Sequence, residues 1–164
     1  MNTIDASGIL AIATRLQRLS EMLRKDGQLI YKAYGLTFEP KWFPVMYCLY
    51  HQPGLSVVAL AAEIGYTHPS TISLLKELEK EKLVRSKKDK NDERKRLLHL
   101  TEKGSALIEK MKPVWQVLTL ALTELTDTPH NLMLAITETE AALKQKSFFD
   151  RAMDAPGAPL REQH

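Results

Sequence analysis

A chain of 164 residues with 44% hydrophobic and 26% charged content is long enough for one domain around an ordinary buried core. Its single cysteine, Cys48, excludes an intramolecular disulfide and any multi-cysteine zinc site. The formal net charge is only +3, yet seven basic against three acidic residues between Arg85 and Arg96 give that segment +4, the concentration expected where a protein meets phosphate.

No basic-then-apolar leader opens the chain and no run approaches the roughly 18 apolar residues of a membrane span, so the expected location is cytoplasmic with no membrane partner. No proline interrupts residues 5–34, and Leu16, Leu19, Leu23 and Ile30 recur near helical spacing, which predicts a long first helix ended by Gly35. Pro40 and Trp42 open a second helix to about His51, closed by the turn residues Gln52-Pro53-Gly54. Ser56 suits the N-cap of a short third helix that stops at Gly65. The turn Gly65-Tyr66-Thr67-His68 leads to Pro69, which belongs in the first turn of a helix, where its missing N–H leaves no bond unmade.

In that fourth helix Thr71, Leu74, Leu75 and Leu78 form one stripe for burial. The opposite face carries Pro69, Ser70, Ile72, Ser73 and Lys76. Short hydroxyl side chains let a backbone approach phosphate, and an isoleucine can meet a thymine methyl. Thr67 and His68 in the turn and Ser56 at the preceding helix join them as candidate DNA contacts. An ordinary amphipathic surface helix shows the same pattern, and the basic hairpin that follows is what favours DNA. Leu83–Lys87 and Lys95–Leu100 read as two short strands joined by a polar tip, with Lys87, Lys88, Lys90, Asn91, Asp92, Arg94 and Arg96 as candidate contacts.

Thr101 caps a fifth helix to about Leu125, with Pro113 kinking it before Trp115, and Thr128-Pro129 starts a sixth that ends near Phe148 or Phe149. From Arg151 the chain reads as a disordered tail. Terminal helices this long and apolar exceed what a winged core covers, which implies a two-fold homodimer with its recognition helices roughly 34–36 Å apart. The fold class is mostly α with a small β-hairpin: a winged helix-turn-helix at about 38–101 between dimerisation helices at about 5–34 and 102–148, one domain over 1–150.

The wing carries the most specific motif. Asp89-Lys90-Asn91-Asp92-Glu93-Arg94 is followed, after five intervening residues, by Leu100-Thr101-Glu102-Lys103-Gly104. On that spacing the chain resembles the MarR family of bacterial transcriptional regulators, meeting every fixed position of Asp-x-x-Asp-x-Arg and Leu-Thr-x-x-Gly. The resemblance implies a ligand-responsive repressor acting as a homodimer on a palindromic operator of double-stranded DNA. By position, Arg94 resembles the arginine that enters the minor groove, and Asp92 the carboxylate that orients it; a purely structural Asp92–Arg94 pair is the alternative. Two positions depart from the family. Ser73 stands where many relatives carry an arginine, and Lys82 where a glycine commonly precedes Leu-Val, which suggests a less tight helix end.

Family members commonly bind a small aromatic effector between the dimerisation helices and the winged core. Seven of the eleven aromatic residues lie between Tyr31 and Tyr50, and Tyr31, Tyr34, Trp42, Phe43, Tyr47, His51 and Trp115 are the candidate ligand contacts. Such a cluster suits a core as well as a pocket. Cys48 reads as a buried structural thiol, a redox sensor being the alternative. The five histidines are scattered and no nucleophile motif or glycine-rich phosphate loop is present, so neither catalysis nor a metal or other cofactor is expected. The competing function is a protein-interaction module that uses the fold without DNA, and a basic hairpin argues against it.

Overall fold

The structure is a computed structural model that describes residues 2–89 and 96–159. The chain divides into two compact units, Met1–Leu118 and Thr119–His164. Among the described residues it is mostly helical, with one two-stranded antiparallel sheet.

The first unit opens with α1 (Thr3–Ala6), a 3-10 turn (Gly8–Ala11) and α2 (Ile12–Ala33). The single long first helix expected from about residue 5 is therefore broken. Gly8 adopts φ +62°, a left-handed conformation that a continuous right-handed helix cannot contain. A second 3-10 turn (Pro40–Trp42) leads into α3 (Phe43–His51), which buries Val45, Met46, Cys48 and Leu49. Next come α4 (Val57–Ile64), begun by the Ser56 cap its sequence suggests, and α5 (His68–Lys80), capped by Thr67 of the preceding turn. Ser56 Oγ accepts from the Ala59 amide at 3.1 Å, and Thr67 Oγ1 from the Ser70 amide at 3.3 Å, with Pro69 in the first turn. The stripe Thr71, Leu74, Leu75 and Leu78 is buried as anticipated, against a core that includes Met46, Leu60, Leu98, Ile108 and Met111.

Strands β1 (Val84–Lys88) and β2 (Arg96–Leu100) pair antiparallel, with Val84 opposite Leu100 and Lys88 opposite Arg96. Leu83 stands outside β1 because it completes the end of α5. The Lys82 amide donates to Glu79 O at 2.9 Å and the Leu83 amide to Leu78 O at 2.9 Å, the two bonds of a Schellman closure. That closure needs a left-handed residue at its centre, and Lys82 supplies it at φ +58°. The helix end is thus tight despite the missing glycine, contrary to the looser end suggested by the sequence. A third strand-like contact was not foreseen: Leu55 bridges Leu98, with the Leu98 amide donating to Leu55 O at 2.9 Å and the Gly54 amide to Leu98 O at 2.8 Å.

The hairpin joins α6 (Glu102–Thr126) through the carbonyls of Lys82 and Leu83. Thr101 N donates to Leu83 O at 3.0 Å, Thr101 Oγ1 donates to Lys82 O at 2.7 Å, and the Gly104 amide donates back to Thr101 Oγ1 at 2.9 Å. A Cβ on Gly104 would lie 2.2 Å from Leu83 O, so this position accepts only glycine unless backbone moves. Helix α6 continues through Pro113, whose absent N–H removes one rung of its ladder.

In the second unit α7 runs Leu132–Gln145 and α8 Phe148–Met153. The sixth helix expected from Thr128-Pro129 starts later because Asn131 caps it, its side chain accepting from the Leu134 amide at 3.1 Å. It ends earlier because Lys146 is extended and Ser147 caps a new helix. The anticipated tail from Arg151 therefore begins inside α8, where the Arg151 guanidinium donates to Ala142 O at 2.9 Å.

Two substitutions at the shared closure should move stability in opposite directions. Lys82→Gly relieves a left-handed lysine that costs roughly 1–2 kcal/mol, against about 0.4–1 kcal/mol of added unfolded-state freedom, so the thermal midpoint should rise slightly. Gly104→Ala should lower it by about 2–4 kcal/mol equivalent, because the carbonyl it strikes is backbone. Thermal denaturation followed by circular dichroism checks both signs.

Candidate nucleic-acid interface

Helix α5 presents one face to solvent because the other is occupied by core. His68, Pro69, Ser70, Ser73 and Lys76 are exposed, Ile72 is half-buried, and Thr67 is exposed while capping the helix. Thr67 Oγ1 also donates to Ser70 Oγ at 2.8 Å, so two of the small hydroxyls are pre-positioned at the helix start. Ser56 is half-buried and its hydroxyl is engaged by the Ala59 amide. Its capping role is structural, which the sequence reading did not separate from DNA contact.

The far end of the same helix is held by groups that lie far from it in the chain. Glu77 accepts from Trp42 Nε1 at 3.0 Å and from Lys41 Nζ at 2.8 Å. The Lys41 hydrogen bond, with Trp42 assisting, holds the Glu77 carboxyl below the usual carboxylate range. Lys103 Nζ donates to Glu81 O at 2.8 Å, which places a cation on the C-terminal end of α5, where the helix dipole favours one.

On the hairpin, Lys87, Lys88 and Arg96 are all exposed. Lys88 and Arg96 are direct register partners, and Arg96 Nη1 reaches Ser86 Oγ at 3.4 Å. Like charges opposite one another on paired strands are destabilising, so the hairpin carries a local electrostatic penalty. A bound polyanion would relieve that repulsion. Lys90, Asn91, Asp92 and Arg94 lie outside the described residues.

The aromatic candidates divide. Tyr31 and Trp42 are buried. Tyr31 Oη accepts from Trp115 Nε1 at 3.0 Å, and burial pushes its hydroxyl above the ordinary tyrosine value. Tyr34, Phe43, Tyr47 and His51 are exposed, and Trp115 is half-buried. Phe43 and Tyr47 each pack edge-on against Trp115, at 5.5 and 5.4 Å between centroids, and Tyr47 lies 4.5 Å from His51. An exposed aromatic strip thus runs along α3 and onto α6. Burial, with the charge of Glu63 adding, raises the Cys48 thiol above its ordinary value, which favours the unreactive protonated form. Among the described residues no three His, Cys, Asp or Glu side chains group to hold a metal ion, and no helix is long and apolar enough to cross a membrane.

A short capped helix, a turn, an exposed second helix and a basic hairpin define a winged helix-turn-helix regulator. Residues 34–95 match the model of the MarR family. The chain is 31% identical over 116 residues to the HTH-type transcriptional regulator PetP of Rhodobacter capsulatus, covering 63% of this chain and 70% of that one. Among solved structures it resembles the transcriptional repressor CouR bound to a 23-mer DNA duplex, with 25% identity, TM-score 0.63, and coverage of 84% of this chain and 96% of that one. It shares the fold of the Mycobacterium tuberculosis regulator MosR in complex with DNA, at 21% identity, TM-score 0.68, and coverage of 82% of this chain and 96% of that one. The chain belongs to the MarR family of transcriptional regulators.

Replacing Lys88 by glutamate turns the opposed pair into an attractive one. Lys88→Glu should stabilise the protein by about 0.2–1 kcal/mol at low ionic strength, and the gain should shrink as salt screens it. Melting curves at two salt concentrations test this; a salt-independent shift would mean that the repulsion is not what changed.

Proposed function

We propose that the protein is a DNA-binding repressor that acts as a homodimer on a palindromic operator and responds to a small aromatic effector. The observation that carries the DNA reading is the pairing of an exposed hydroxyl-bearing face on α5 with a hairpin whose cations Lys88 and Arg96 oppose each other. Both features suit phosphate. The likeness to CouR, whose structure is of a repressor on a DNA duplex, supports the same reading.

The homodimer is supported by apolar side chains outside the core. Ile9 and Leu10 are 78% and 86% exposed, and Phe148 and Phe149 are 76% and 68% exposed. Such residues suit cover by a second copy. In this reading the winged core at about 38–101 lies between dimerisation helices at about 5–34 and 102–148. The effector reading rests on the strip Phe43, Tyr47, His51 and Trp115, whose rings offer apolar faces and a few polar tips to a planar ligand. Regulation requires that such a ligand bind the free and DNA-bound orientations with different affinity.

An electrophoretic shift with duplex DNA flanking the protein's own gene tests the proposal. With about six phosphates neutralised per dimer, log K against log salt should slope by roughly −5. Arg94→Ala should weaken specific binding by about 1–3 kcal/mol, whereas Lys88→Ala should weaken all sequences alike and reduce the slope by about one. A flat salt response, or unaltered affinity in both variants, would overturn the DNA reading.

A further inference from the structure

We propose that Glu77 is a positioning residue for operator recognition, its carboxylate being the handle by which Trp42 and Lys41 fix the roll of α5 about its own axis. The proposal rests on the DNA-binding reading and adds a specificity determinant to it. Glu77 follows Ser70 by seven residues and Ser73 by four, so the three side chains share one flank of α5. Ser70 and Ser73 are exposed and Glu77 is half-buried, which sets a carboxylate beside the hydroxyls that would meet DNA.

An acidic group on such a flank repels phosphate, so its charge gives it no part in holding the DNA backbone. Its two bonds give it another part. Trp42 Nε1 donates to Glu77 Oε1 at 3.0 Å, and Lys41 Nζ reaches the same oxygen at 2.8 Å. Both donors belong to the turn at Pro40–Trp42 that leads into α3. The indole is itself fixed in the core: Trp42 is 5% exposed, its ring lies edge-on to Phe38 at 5.7 Å, and Phe38 lies edge-on to Tyr31 at 4.9 Å. The flank of α5 that carries the hydroxyls is thereby tied to a donor that the core holds in place.

The other contacts of α5 act differently. Leu74, Leu75 and Leu78 meet the core through apolar packing, which has no preferred direction. The backbone closure at Lys82 and Leu83 fixes where the helix stops. With side chains reaching about 5–6 Å from the axis, a roll of roughly 10° moves their tips by about 1 Å, enough to spoil a base contact. A charge-assisted bond is directional and resists that roll.

The test uses the full-length protein and a duplex that the wild-type chain selects from a random library, with a scrambled duplex of the same composition as the non-specific reference. Glu77→Ala should bind the selected duplex roughly tenfold more weakly, the effect of one lost hydrogen bond to a charged group, while its affinity for the scrambled duplex stays level or rises as a negative charge is removed. Glu77→Gln keeps an acceptor for the indole, so its ratio of specific to non-specific affinity should stay within about twofold of wild type. Trp42→Phe should lower that ratio as Glu77→Ala does, and the double variant should lower it no further, because both changes remove the same bond. Equal affinity changes on the two duplexes in Glu77→Ala, or a ratio in Glu77→Gln as low as that in Glu77→Ala, would overturn the proposal whatever the melting temperatures do. The two Glu77 variants decide it even if Trp42→Phe fails to fold. If the wild-type chain selects no sequence, the DNA reading itself fails and this proposal falls with it.

Discussion

The carbonyl of Leu83 is the point on which the winged core depends. Helix α5 ends there, β1 starts beside it, and the residue that follows β2 returns to it through the Thr101 amide at 3.0 Å. Helix α6 can begin against this carbonyl only because Gly104 has no side chain, since a Cβ would stand 2.2 Å from the oxygen. The Leu-Thr-x-x-Gly motif thereby acquires a physical meaning. Leucine closes the strand into the core, threonine caps the helix while its hydroxyl donates to Lys82 O, and glycine permits the approach. Helix, hairpin and following helix are fixed mutually by one small cluster of backbone groups.

That clamp explains how far the sequence could be read. The Ser56 cap, the proline in the first turn of α5 and its buried stripe were legible because each acts within a few residues of itself. Gly8 was passed over because a lone glycine is tolerated by a helical pattern, and only its φ of +62° shows that the chain turns there. The bridge between Leu55 and Leu98 joins residues more than forty positions apart, and neither carries a local signature of pairing. Lys82 was legible as a departure from its family but was misjudged in consequence. The closure of α5 is determined by the hydrogen bonds and packing around it, and these hold a lysine in the left-handed region.

Charge follows a different logic from packing. The sequence concentrates its positive residues at the hairpin, and the register adds that two of them, Lys88 and Arg96, face each other directly. Elsewhere the first unit has pairs of unlike charge, as in Lys41 with Glu77 at 2.8 Å and Lys112 with Glu109 at 2.7 Å. Folding alone gives no reason to pair unlike charges at those places and to oppose like charges at the hairpin. The contrast is intelligible if the hairpin is adapted to an external anion and the rest of the unit to its own stability.

The aromatic cluster shows why composition left core and pocket equally open. Tyr31, Phe38 and Trp42 form one edge-to-face series inside the core, with centroids 4.9 and 5.7 Å apart. Phe43, Tyr47 and His51 fall on the outward side of α3 at intervals of four residues. Trp42 closes the 3-10 turn with its ring in the core and Phe43 opens α3 facing outward, so the two take opposite roles although they are neighbours in sequence. Trp115 joins the two sets, its indole N–H on Tyr31 and its ring against Phe43 and Tyr47. A ligand on the outer strip would press on a tryptophan already bonded into the core, so the strip and the core cannot respond independently.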